Sequence, residues 1–201
     1  MKNTTSISTS DQPKNLAQYR KVHGEADEVI RKVANFRDKV VIPAINELRY
    51  AGHHLLKSID DDGSVIDNKE LQKAINHCHR AMYEAIDAGI ICALGRIKIF
   101  QDDYKKTVVA DLIPNYREIL VRSHKAQSQS AKARDHGENS VSMSDEYISL
   151  YNSLVEDCYS LDLMRDEINK RLRESIRSYR RWIFTIALMV IGVFTSIILL
   201  F

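Results

Sequence analysis

Apolar residues recur every three or four positions along most of this chain, and the alternation of a half-buried strand is absent. That spacing places side chains on one face of an α-helix. Seven glycines and three prolines in 201 residues leave little to interrupt it. Over residues 14–40 one stripe joins Leu16, Tyr19, Val22, Ala26, Val29, Val33, Phe36 and Val40. Pro43 stops this helix or opens the next, where its missing N–H costs nothing. A second helix over 43–59 turns Ile45, Leu48, Gly52, Leu55 and Ile59 inward. DDDGS (60–64) makes a turn, and Asp67 with Glu70 three residues on forms a capping box for a third helix. That helix carries Leu71, Ile75, Cys78, Met82 and Ile86, then becomes apolar all round at 88–95, as the centre of a bundle should. A fourth helix near 104–126 is interrupted or offset by Pro114.

Residues 125–144 lose the periodicity and are rich in Ser, Gln, Ala and Lys, as in a linker or mobile loop. From Asp145 a new stripe runs through Tyr147, Tyr151, Leu154, Cys158, Leu161, Arg165, Ile168 and Leu172. It is a seven-residue repeat interrupted by Arg165. Such a helix either folds back onto the four-helix unit or pairs with copies of itself. The length of the stripe favours folding back.

The stripe leads without a breaker into Trp182–Phe201, an uncharged run that includes Gly192 and Ser196. As a helix these residues span about 30 Å, the thickness of a bilayer core. Lys170, Arg171, Arg173, Arg177, Arg180 and Arg181 precede the run, so the positive-inside bias keeps the rest in the cytoplasm. The N-terminus has no apolar segment of signal-peptide type. The expectation is a tail-anchored, single-pass protein of the bacterial inner membrane, with the lipid bilayer as a partner. Gly192 and Ser196 form a small-xxx-small pair that permits helix packing and oligomers. The expected architecture is all-α: a cytoplasmic four- to five-helix bundle followed by one C-terminal transmembrane helix. Its parts are a disordered 1–13, a bundle over 14–124, a linker over 125–144, an amphipathic helix with a basic collar over 145–181, and an anchor over 182–201.

The net charge of +2 is close to neutral, and without the basic collar the remainder is mildly acidic. No global field recruits nucleic acid. Cys78, Cys92 and Cys158 are odd in number and set among apolar residues, which suits small core residues of a reduced protein. The chain has no CxxC pair, glycine-rich phosphate loop, HExxH or GxSxG. No cofactor and no metal is expected.

What stands out is a clustering of histidine and arginine in NELRYAGHHLL (46–56) and NHCHRAMYEA (76–85). His53, His54, His77 and His79 lie there. Antiparallel helices joined by the DDDGS turn would bring both clusters toward one end. The plainest reading is a solvated flank, with His77, Arg80 and Glu84 on one face. A second is a metal site with two histidines from each helix.

The third comes from resemblance. Arg49-Tyr-Ala-Gly-His-His54 matches the R-x4-H form of the motif of HEPN-superfamily ribonucleases, and the chain resembles that family over roughly residues 15–124 in length and helical class. The resemblance implies metal-independent RNA cleavage at a dimer interface, by attack of a 2′-hydroxyl on the adjacent phosphate. Imidazole is the acid or base and guanidinium the phosphate fork. By resemblance these roles fall to His54 and Arg49, with His53, His77, Arg80, Arg117 and His124 as secondary candidates. Arg117 and His124 form a second, R-x6-H pair. Family members place Asn, Asp or His directly after the arginine; here Tyr50 and Glu118 stand there. On one unbroken helix Arg49 and His54 lie about 140° apart, so they converge only through a break at Gly52 or a partner protomer.

The chain also resembles membrane-anchored accessory and effector proteins of prokaryotic antiviral systems. That implies an oligomeric defence effector acting through RNA cleavage, membrane permeabilisation or both, with RNA or a defence-system nuclease as partner. The alternative is a non-catalytic helical adaptor that binds a protein partner.

Overall fold

The computed structural model describes residues 12–105, 109, 111–135 and 145–198. They form five helices: α1 (Gln12–Arg37), α2 (Ile42–Ser58), α3 (Asn68–Asp103), α4 (Tyr116–Asp135) and α5 (Asp145–Ile198). The fold is all-α, and α3 is its axis: α1, α2, α4 and α5 all pack against it.

Local chemistry sets the joints. Asp38, at φ 54°, ends α1 in the left-handed region. Arg96 of α3 donates to the Phe36 carbonyl at 2.8 Å and lies 4.5 Å over the Phe36 ring, covering that helix end. Pro43 sits in the first turn of α2. Between α2 and α3 the chain makes a miniature hairpin with one bridge, Ile59 to Val65, and Gly63 at φ 82°. The Asp67 carboxylate accepts from the amides of Lys69 (2.8 Å) and Glu70 (3.1 Å). Only half of the expected capping box forms. The Asp67 amide is already bonded to the Ser58 carbonyl (3.2 Å), which leaves the Glu70 carboxylate for other partners.

α5 folds back onto the bundle with its expected stripe inward, and Tyr147, Tyr151, Leu154, Cys158, Leu161 and Ile168 are buried. Arg165, the interruption, pairs with Asp103 and Asp162 and lies over the Phe100 and Tyr104 rings. At Gly89 of α3, a Cβ would stand 2.5 Å from Tyr151 Cε2, so glycine is what lets the two helices approach there.

Three boundaries differ from expectation. α1 begins at Gln12, inside the segment expected to be disordered, and residues 1–11 lie outside the described residues. α4 starts only after Pro114 and Asn115 (φ 62°) and continues to Asp135, through the first half of the expected linker. The remainder, 136–144, is outside the described residues. On α2 the inward stripe is offset: Ala44, Ala51 and Ser58 are buried, whereas Ile45 is 44% exposed.

The expected membrane span is not found among the described residues. Among the described residues no helix is long and apolar enough to cross a membrane. Upstream, Arg177, Arg180 and Arg181 cut the apolar stretch short. The single-pass inner-membrane location and the cytoplasmic placement of the bundle rested on that span and fall with it. α5 is nevertheless one helix through this region, with Trp182, Phe184 and Met189 exposed. The Ser196 side chain and Phe201 lie outside what the structure describes.

Candidate catalytic site on α2 and α3

Because the short hairpin makes α2 and α3 antiparallel, residues equally far from it face each other. His54, one turn before the end of α2, meets Glu70 in the first turn of α3. Two helical turns away, Glu47 meets His77. In each pair the imidazole Nδ1–H donates to a carboxylate oxygen, at 2.6 Å for His54–Glu70 and 2.7 Å for His77–Glu47. The two rings stack on one another with centroids 5.0 Å apart and planes 10° off parallel. The result is a chain of four groups, Glu70–His54–His77–Glu47. Their side chains are between 17% and 22% exposed, neither sealed from solvent nor free in it.

The row extends at both ends. His53 lies edge-on to His54 at 5.5 Å, and Tyr50 lies 5.6 Å from His77. The Arg49 guanidinium rests 5.1 Å over the Tyr50 ring.

The electrostatics follow from these contacts. Glu70 accepts from Lys73 (2.6 Å) as well as from His54, and these two hydrogen bonds hold its carboxyl at about 2, far below the usual value. It stays an anion and can orient His54 at any working pH. A carboxylate on Nδ1 fixes the ring and leaves Nε2 as the atom that exchanges a proton with a substrate. Farther along α3, the Glu84 carboxyl is pushed up, first by burial and then by the neighbouring charges of Asp87 and Glu47.

The sequence candidates divide. His53, His54 and His77 come together, with Arg49 beside them through Tyr50. α2 is unbroken through Gly52, so within one chain Arg49 and His54 stay on different faces. The solvated-flank reading is corrected for His77, which is mostly covered. Arg117 and His124 sit exposed on α4, far along the sequence from this row. Sequence reading missed Glu47 and Glu70 as partners. The signal was present, since the spacings 47-to-54 and 70-to-77 are both seven residues and mirror each other across the turn. Among the described residues, no group of three or more His, Cys, Asp or Glu is placed to hold a metal ion.

A second polar cluster joins α3, α4 and α5. Ser130 Oγ (2.6 Å) and Tyr147 Oη (2.7 Å) both donate to the buried Asp87 carboxylate. Burial, followed by the Asp87 bond, pushes the Tyr147 hydroxyl far above its usual range. Nearby, Arg122 grips both Asp157 oxygens, at 2.6 and 2.5 Å.

Comparison with protein families, with characterised proteins and with solved structures finds no match to this chain. Any assignment of function therefore rests on the arrangement of these side chains.

Proposed function

We propose that this chain is a metal-independent endoribonuclease whose acid and base are His54 and His77. The observation that carries the reading is the Glu70–His54–His77–Glu47 chain, in which two imidazoles stack while each is oriented by its own carboxylate. Such a pair supplies one base and one acid together. The neutral imidazole takes the proton of an RNA 2′-hydroxyl as that oxygen attacks phosphorus. The cationic one gives its proton to the departing 5′-oxygen as the P–O5′ bond breaks. The products are a 2′,3′-cyclic phosphate and a 5′-hydroxyl end. The aromatic and imidazole faces of Tyr50 and His53 offer stacking surfaces to the bases of a single strand. Arg49 stands at the rim. The resemblance to HEPN ribonucleases supports RNA as substrate and a homodimer as the acting form, and it makes antiviral defence the natural setting.

The test is cleavage of a fluorescent single-stranded RNA by the purified chain and by His54→Gln and His77→Gln. A loss on the order of 10²–10⁴-fold in each variant, with a cyclic phosphate end in the wild-type product, is the expected result. Equal cleavage by wild type and both variants defeats it.

A second reading, a non-catalytic helical adaptor, is supported by the exposed apolar side chains of α5, among them Trp182, Phe184 and Leu188. An adaptor would keep its partner binding intact in the histidine variants.

A further inference from the structure

We propose that Arg80 is the group that holds a non-bridging phosphate oxygen in the His54–His77 site. The inference rests on the ribonuclease reading for its substrate but on separate observations for the site itself. Arg80 lies three residues after His77, one turn along the same face of α3. It is half-buried, and its Nε is buried with no hydrogen-bond partner.

An orphaned guanidinium nitrogen is costly, and the other interior arginines avoid it. Arg96 is bonded to the Phe36 carbonyl, Arg122 to Asp157, and Arg165 to Asp103. Among the described residues Arg80 makes no hydrogen bond or ion pair, although Glu84 stands four residues on, where helical ion pairs usually close. Glu84 does not close that pair; its carboxyl is pushed up, first by burial and then by Asp87 and Glu47. Arg80 is thus a cation one helical turn from His77 whose side chain has no hydrogen-bond or ion-pair partner among the described residues. A planar fork of N–H donors is complementary to two oxygens of a tetrahedral anion. A phosphodiester seated on His54 and His77 supplies them, and its developing charge is then held while the imidazoles move protons.

The experiment is a titration of the full 201-residue chain with inorganic phosphate, followed through the Arg80 Nε–H and histidine ring NMR signals. RNA cleavage is assayed in parallel. Arg80 and the His54 and His77 rings are expected to respond with one half-saturation point. Arg80→Ala should weaken binding at least tenfold and Arg80→Lys should keep part of it, while Arg117→Ala stays within twofold of wild type. Arg80→Met should fold with an unchanged or higher Tm while losing the phosphate response, since it removes an unsatisfied buried donor. Wild-type binding in Arg80→Met, or an Arg80 signal that phosphate does not move, overturns the proposal. The two readings fail separately. Phosphate binding through Arg80 without RNA cleavage defeats the ribonuclease and leaves the anion site. Cleavage that is equal in wild type and Arg80→Met defeats the anion site and leaves the ribonuclease.

Discussion

α3 carries two polar clusters about three turns apart, and they are built on opposite plans. At Asp87 the carboxylate is buried, and hydroxyls from two other helices converge on one of its oxygens. At His54 and His77 the groups are only partly covered, the rings face each other, and the nearby Arg80 Nε is left without a partner. The first arrangement uses its polar atoms to join helices that are distant in sequence. The second, lying between helices that a short turn already holds together, is not needed as a joint. We therefore read the second cluster, whose hydrogen-bonding capacity is not fully used, as the candidate site.

That contrast makes the histidines and Asp87 exchange roles under mutation. The largest expected effect is on rate: His54→Gln and His77→Gln lose on the order of 10²–10⁴-fold in RNA cleavage while Tm hardly moves. A Tm collapse in either variant would make the pair structural and erase the distinction. Asp87→Ala comes next and does the reverse. It removes the shared acceptor of the Ser130 and Tyr147 hydroxyls, and a loss of about 1–3 kcal/mol in denaturant unfolding is expected. Unchanged stability there would show that the seam does not hold α4 and α5 to α3.

Gly89→Ala probes the same α3–α5 contact sterically. Its Cβ would fall 2.5 Å from Tyr151 Cε2, so the ring must shift. The expected cost is about 1–3 kcal/mol, without effect on the histidine row. The smallest effect belongs to Glu70. Its carboxyl lies near 2 when folded, against an ordinary 4.5, owing to Lys73 and His54. A depressed carboxylate adds stability that is present above about 4.5 and is lost as pH falls toward 2. Wild type and Glu70→Gln should therefore differ most at neutral pH and converge through that window in acid unfolding. A gap that persists at pH 2 would mean that Glu70 contributes by packing rather than by charge.

Some of this was legible in the chain and some was not. The α5 stripe was readable because its inward positions, apart from Arg165 and the small Cys158, are large apolar residues, and large residues dominate any periodic reading. α2 was misread by one position for the complementary reason. Its buried face is Ala44, Ala51 and Ser58, and on α3 Ala74, Ala81 and Ala85 are buried as well. Small residues let two helices approach closely, but they weigh little in a hydrophobic pattern. The second half of α4 was hidden similarly, since among its described side chains only Ala126 and Ser130 are buried, in a stretch of helix-favouring polar residues.

By itself the sequence determined an all-helical chain, the turn at 60–64, the Asp67 cap and the inward face of α5. These follow from the periodicity of single helices and from local hydrogen bonding, which act over a few residues. It also placed the histidines on two neighbouring helices. Only the tertiary structure decided that His54 and His77 stack, that Glu70 and Glu47 orient them, and that the buried Arg80 Nε is left without a hydrogen-bond partner. Those relations depend on the rotation of α2 against α3. That rotation is fixed by close packing of small side chains, which no one-dimensional pattern records.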